Sequence, residues 1–241
     1  MSLTAIIPIF FSLFGITLAS TAAPSVPFNE NPINLLSCTI LIVSLLMICI
    51  PRINNWGWEA KYFGATLFNL SSLVFISLIP CLCIVFYSRI SFVLRALIFI
   101  SYMGIHAYWC HRFIKLYRII SSDTNTMRKL YQEDDGVIYY MQKKDKYLLE
   151  KKHKFFQIPK SRYFVICNLL SLALIGFIDQ VRTVTDIPFI HTFFLVNTLP
   201  LSLMAAGLST RSFLVFYYYP ILLTRRTSKQ VYVDVASKSD N

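Results

Sequence analysis

Glycine is scarce in this chain, with 7 residues among 241. Nucleotide-binding loops rely on glycine for tight turns and for close backbone approach to phosphate. No G-x-x-x-x-G-K-[ST] run or Gly-rich loop is present, and H-E-x-x-H and C-x-x-C are missing as well. The six cysteines include one close pair, Cys81 and Cys83, with the wrong spacing for zinc and no second pair to complete a site. They read as small hydrophobes. Charge is absent over long stretches: residues 62–88 and 187–210 contain no Asp, Glu, Lys or Arg. These absences argue against a soluble nucleotide-binding domain, a zinc module or a disulfide scaffold.

Apolar residues make up 56% of the chain, against about 45–50% in soluble domains. A helix needs roughly 20 apolar residues to cross a hydrocarbon layer ~30 Å thick, and both charge-free stretches are long enough. The sequence predicts an all-α integral membrane protein of about six transmembrane helices, or five if the first is a cleaved signal, with a small cytosolic α/β insertion. The expected N-terminal membrane part is 1–118, with segments at about 3–19, 33–50, 62–87 and 90–111. A basic insertion at 119–161 follows. The C-terminal membrane part is 162–224, with segments at 163–178 and 189–210 and an interfacial stretch at 212–223. Residues 225–241 form a cytosolic tail. Ser20 to Pro24 resembles a signal-peptidase site, but the preceding segment has no Lys or Arg, which favours an uncleaved first helix. Residues 179–188 read as an outer turn, and Arg211 reads as the point where the last apolar segment is interrupted.

Residues 112–162 hold 13 Lys/Arg and 6 Asp/Glu. Short cytoplasmic loops are enriched in basic residues, so this block is expected on the inner face of a cytoplasmic membrane, with both termini on the same side. A nucleic-acid partner is the less economical reading of the same charge. Within the block, Asp134-Asp135-Gly136 is a turn signal between Leu130-Tyr131 and Val137–Met141. Strands are expected over 128–149, including Tyr147-Leu148-Leu149, although Met141, Leu148 and Phe155 also recur at a helical spacing of seven. The alternating run Val231–Val235 is a candidate to pair with them.

No residue is assigned to catalysis, to a cofactor or to a metal. His106 and His111, five apart, point about 140° away from each other on an ideal helix. His153 and His191 are expected on opposite faces of the membrane. Gly207-Leu208-Ser209-Thr210 faintly resembles the serine motif of intramembrane proteases without its second glycine, and small residues there read better as a helix-packing surface.

The candidates for binding a protein partner or membrane lipid are Tyr139, Tyr140, Lys143, Lys144, Lys146, Tyr147, Lys151, Lys152, Lys154, Phe155 and Phe156. The candidate polar membrane positions are Asn69, Asn168, Asp179 and Asn197. The outline is that of a recognition protein of the immunity, exclusion or membrane-complex-subunit type, working through its insertion. The alternatives are a small-solute or ion transporter using the four polar positions, and a lipid-modifying enzyme using Glu59, His111 or His153 at the inner interface.

Overall fold

The computed structural model describes residues 2–53, 59–152 and 158–234. Among the described residues, four helices are long and apolar enough to cross a membrane: Pro32–Ile50, Ala60–Tyr87, Phe92–Ser122 and Leu199–Thr227. A bent pair, Ser161–Ile175 and Ile178–Thr185, makes a fifth if counted as one span. A shorter apolar helix covers Ile6–Ala22. The surface supports the membrane setting. Val165, Ile166, Leu169 and Leu170 of the first bent helix are all exposed, a surface that lipid accommodates and water does not.

The helices are α1 (Ser2–Ala22), α2 (Pro32–Ile53), α3 (Ala60–Phe68), α4 (Phe75–Tyr87) and α5 (Phe92–Ser122). A 3₁₀ segment, Asn69–Val74, joins α3 to α4 without a loop. The insertion contributes α6 (Thr124–Leu130), β1 (Tyr131–Asp134), β2 (Val137–Met141), α7 (Gln142–Asp145) and a widened π-helical turn at Lys146–Lys152. Then come α8 (Ser161–Ile175), α9 (Ile178–Thr185), α10 (Phe189–Asn197), α11 (Leu199–Ser212), a second π segment at Phe213–Tyr218, α12 (Tyr219–Thr227) and β3 (Val231–Asp234).

Two membrane segments depart from the sequence expectation. Residues 179–188 are not simply a turn, because α9 continues the chain as a helix bent 86° from α8. The final apolar stretch breaks near Thr198 rather than at Arg211. Thr198 adopts φ −93°, ψ 0°, and Pro200 just beyond it has no N–H to continue the ladder. Arg211 instead lies inside the unbroken Leu199–Thr227 helix. Packing explains the difference. The Ala60–Tyr87 helix runs antiparallel to the chain from 189 to 218, with α4 against α10, the 3₁₀ segment against α11, and α3 against the second π segment. That π segment immediately precedes Pro220, where the missing N–H again loosens the helix.

At one end of the bundle the loops are tied by polar contacts. The Tyr87 hydroxyl donates to Asn31 Oδ1 at 2.7 Å, and the two ring nitrogens of His191 lie 3.0 Å from the carbonyls of Pro188 and Leu18, one of which accepts from the ring N–H. Arg89 pairs with Asp186 at 2.8 Å. At the other end sits the sheet, in the order β1-β2-β3, with β1–β2 antiparallel and β2–β3 parallel. The hairpin turn uses left-handed conformations at Asp135 (φ 45°) and Gly136 (φ 81°), which glycine adopts freely and Asp tolerates. Residues 147–149 are helical, not a strand, and their buried leucines, Leu148 and Leu149, face the bundle.

The largest apolar core crosses the boundary between insertion and bundle. It joins Trp109, Phe113, Leu203 and Phe216 of the helices to Leu130, Tyr131, Ile138, Tyr140, Leu149 and Val231. The insertion therefore folds as part of the bundle rather than as a tethered module.

Candidate functional site

The junction between sheet and bundle contains a buried charge cluster. Arg211, on α11, donates from Nη2 to Asp145 Oδ2 at 2.6 Å and from Nη1 to Glu150 Oε1 at 2.7 Å. All three side chains are largely withdrawn from solvent, with 9%, 13% and 23% exposure. Asp145 ends α7 and Glu150 lies in the following π turn, so one guanidinium holds two successive turns of the insertion against the helix. Arg suits this role because its planar fork can serve two carboxylates at once. Burial raises the Asp145 carboxyl above its ordinary value, with Arg211 opposing the shift.

Tyrosines surround the cluster. Tyr131 donates its hydroxyl to the Val215 carbonyl at 2.6 Å, inside the π segment. The Tyr131 ring packs on Tyr140 and Tyr219, with centroids 5.1 and 4.8 Å apart. Burial pushes both the Tyr131 and Tyr140 phenols well above their usual range. Tyr140 is fully buried and packs edge-on against Phe216. This corrects its place among the candidate partner-binding residues: β2 alternates its side chains, and Tyr140 lies on the face turned to the bundle.

Its neighbour Tyr139 lies on the opposite face, 37% exposed, paired in register with Tyr232 of β3 and 6.4 Å from it between ring centroids. Tyr147 is 64% exposed, and Lys143, Lys144 and Lys146 are exposed beside it in sequence. The side chains of Lys151 and Lys152, and residues Lys154, Phe155 and Phe156, lie outside what the structure describes.

The four polar membrane positions do not converge. Asn168 and Asp179 are exposed, and Asn197 is half-buried at the end of α10. Asn69 is buried in the 3₁₀ segment and lines a cavity of about 410 Å³ between α2, that segment and α11. Glu59 pairs with Lys61 at 2.7 Å and His111 is exposed. His153 falls outside the described residues. Ser209 donates to its own helix at the Ala205 carbonyl, and Gly207 lets Trp109 and Phe113 approach closely.

Sequence reasoning missed one polar chain inside the bundle. His106 Nδ1 lies 2.9 Å from the Tyr102 carbonyl, and Nε2 lies 2.6 Å from Ser202 Oγ. A carbonyl only accepts, so Nδ1 carries the proton and Nε2 accepts from the serine. The Tyr102 hydroxyl lies 3.1 Å from Ser202 Oγ and 2.9 Å from Ser77 Oγ, which joins α4, α5 and α11. Residues 77, 102, 106 and 202 share no local pattern, so only the fold reveals their meeting. Ser202 is fully buried, and the chain reads as interhelical bridging. Ser202→Ala should lower stability by about 1–2 kcal/mol by leaving His106 Nε2 without its partner, while Tyr102 keeps Ser77. Denaturant unfolding in detergent measures it, and an unchanged midpoint would remove the chain's structural role.

The fold is a helical bundle, with four helices among the described residues, or five counting the bent pair as one, long and apolar enough to span a membrane, and a small sheet clamped onto one end. Compared with known protein families, characterised proteins and solved structures, the chain has no match.

Proposed function

We propose that this chain is a membrane-embedded recognition protein. Its bundle crosses the cytoplasmic membrane about six times, with the insertion and both termini on the cytosolic side. The outer surface of the sheet binds another protein, one with an acidic patch. Immunity proteins, exclusion proteins and subunits of membrane complexes fit this description as a class.

The observation that carries the reading is the Arg211 clamp, with Tyr139 and Tyr147 exposed and Tyr232 half-buried on the elements it helps hold. Holding the insertion to the bundle by two ion pairs and a common core pre-organises Tyr139, Tyr147 and Tyr232. Pre-organisation reduces the ordering cost of association, and tyrosines are frequent anchors of interface energy. The nearby lysines supply charge that speeds encounter and selects the partner. Basic loops are also favoured on the inner face, which supports the orientation.

A crosslinking amino acid at position 147 in cells tests this. Adducts with a defined protein are expected from the wild-type background. Adding Tyr139→Ala and Tyr232→Ala should weaken partner binding ~1,000-fold, from about 2 kcal/mol for each of the two anchoring aromatics, and cut the adduct yield with membrane levels unchanged. Adducts with lipid alone, or adducts indifferent to both substitutions, would reject the proposal.

A further inference from the structure

A second feature lies away from the sheet surface. α5, α8 and α11 enclose a cavity of about 630 Å³, in the size range of ligand sites. Its rim carries Arg112 from α5 and Lys160 and Arg162 from the start of α8, and its walls include Trp109, Leu199 and Leu203. No Asp or Glu occurs in residues 105–122, 151–175 or 199–227, so none of the three surrounding elements supplies a counter-charge. Among the described residues, none of the three cations forms an ion pair, and the paired carboxylates Glu59, Glu133, Asp145, Glu150 and Asp186 are engaged with other bases.

Two of the cations are positioned nonetheless. The Arg112 guanidinium stacks over the Trp109 ring at 5.2 Å, and that of Arg162 over Tyr163 at 5.3 Å. Stacking fixes a guanidinium plane without using its N–H donors, which stay available to an anion. The first turn of α8 has no side-chain cap, so its backbone N–H groups add to the same positive end. The cations sit toward the insertion end of α5 and at the start of α8, beside walls that are apolar.

We propose that this cavity is a binding site for an anionic glycerophospholipid, its phosphate held by Arg112, Lys160 and Arg162 and its acyl part lying against the apolar wall. A purely solvated basic face would explain the charges but not the apolar cavity beneath them. A zwitterionic lipid would leave three positive charges poorly matched.

The experiment uses the purified full-length protein in mild detergent, titrated with phosphatidylglycerol or phosphatidylcholine and read by native mass spectrometry. Phosphatidylglycerol should be retained and phosphatidylcholine should not. R112Q/K160Q/R162Q should bind about 100-fold more weakly, from roughly fivefold per basic residue at an anionic surface. K143Q/K144Q/K146Q removes the same charge from the insertion and should leave affinity unchanged. If the triple variant at the cavity fails to fold, K160Q alone carries the test with an expected loss of about fivefold. Equal retention of both lipids would overturn the proposal, as would unchanged affinity of the cavity variant or an equal loss in the insertion variant. Displacement of lipid by millimolar inorganic phosphate would assign the site to free phosphate instead.

Discussion

Arg211→Ala should release the insertion from the bundle, with a loss of about 3–5 kcal/mol in the stability of the docked state. The substitution leaves Asp145 and Glu150 facing each other at a largely buried junction with no cation between them. A buried charge stripped of its partner keeps its desolvation cost and loses the attraction that offset it. Asp145→Asn should behave differently. Burial holds the Asp145 carboxyl above its ordinary value of 3.8 even with Arg211 beside it. The folded protein therefore binds that proton more tightly than the unfolded chain. The sign follows: this group's contribution to stability is greatest below the ordinary carboxylate value and is lost as pH rises through the raised one. A neutral amide at 145 gives up the ion pair but still accepts from Arg211, which keeps Glu150, so Asp145→Asn should cost less than Arg211→Ala. Hydrogen exchange of the amides of 131–149 measures both variants. Full protection retained in Arg211→Ala would remove the clamp from the account, and an Asp145→Asn as damaging as Arg211→Ala would contradict the reading of the carboxylate.

Legibility of the fold in the sequence followed the range of the interaction. The long apolar helices were legible because they depend on composition over 20 or so residues, as in 62–88. The turn at Asp134–Gly136 was legible because left-handed φ at two residues is a local demand met by local residue types. Arg211 was misread because a charge in an apolar run looks like a boundary when its partners are unseen. Those partners, Asp145 and Glu150, lie more than 60 positions away. The same reason hid the chain from Ser77 through Tyr102 and Ser202 to His106, where each residue alone is an ordinary polar member of a helix. Tyr147-Leu148-Leu149 has the composition of a strand, yet the leucines are buried by docking against the helices, so tertiary packing overrode local propensity. The count of spans was read as about six, or five with a cleaved first segment, and length and apolarity among the described residues support four, or five with the bent pair counted as one. The difference rests on α1, whose apolar stretch Ile6–Ala22 falls below span length, and on the break between α8 and α9.

Adjacent tyrosines of β2 should separate stability from recognition. Tyr140→Ala is expected to cost about 3–5 kcal/mol, the usual range for removing a fully buried aromatic. It would open a cavity between Tyr131 and Phe216, both in contact with its ring, and would loosen the floor on which Arg211 holds Asp145. Tyr140→Phe keeps the ring and should cost about 1 kcal/mol, since only the hydroxyl beside Asp145 is lost. Tyr139→Ala removes an exposed ring whose main neighbour is Tyr232, a cross-strand pair contributing under about 1 kcal/mol. It should leave unfolding nearly unchanged. Measured together, thermal unfolding in detergent and crosslinking from position 147 give opposite orders. Tyr140→Ala lowers the unfolding midpoint and loses the adduct only as far as the sheet is lost, whereas Tyr139→Ala spares the midpoint and reduces the adduct. Because β2 alternates its faces, a one-residue slip in its pairing would exchange these outcomes. A stable Tyr140→Ala beside a destabilised Tyr139→Ala would therefore show that the strand presents its other face to the bundle, and would remove the recognition surface proposed for the sheet.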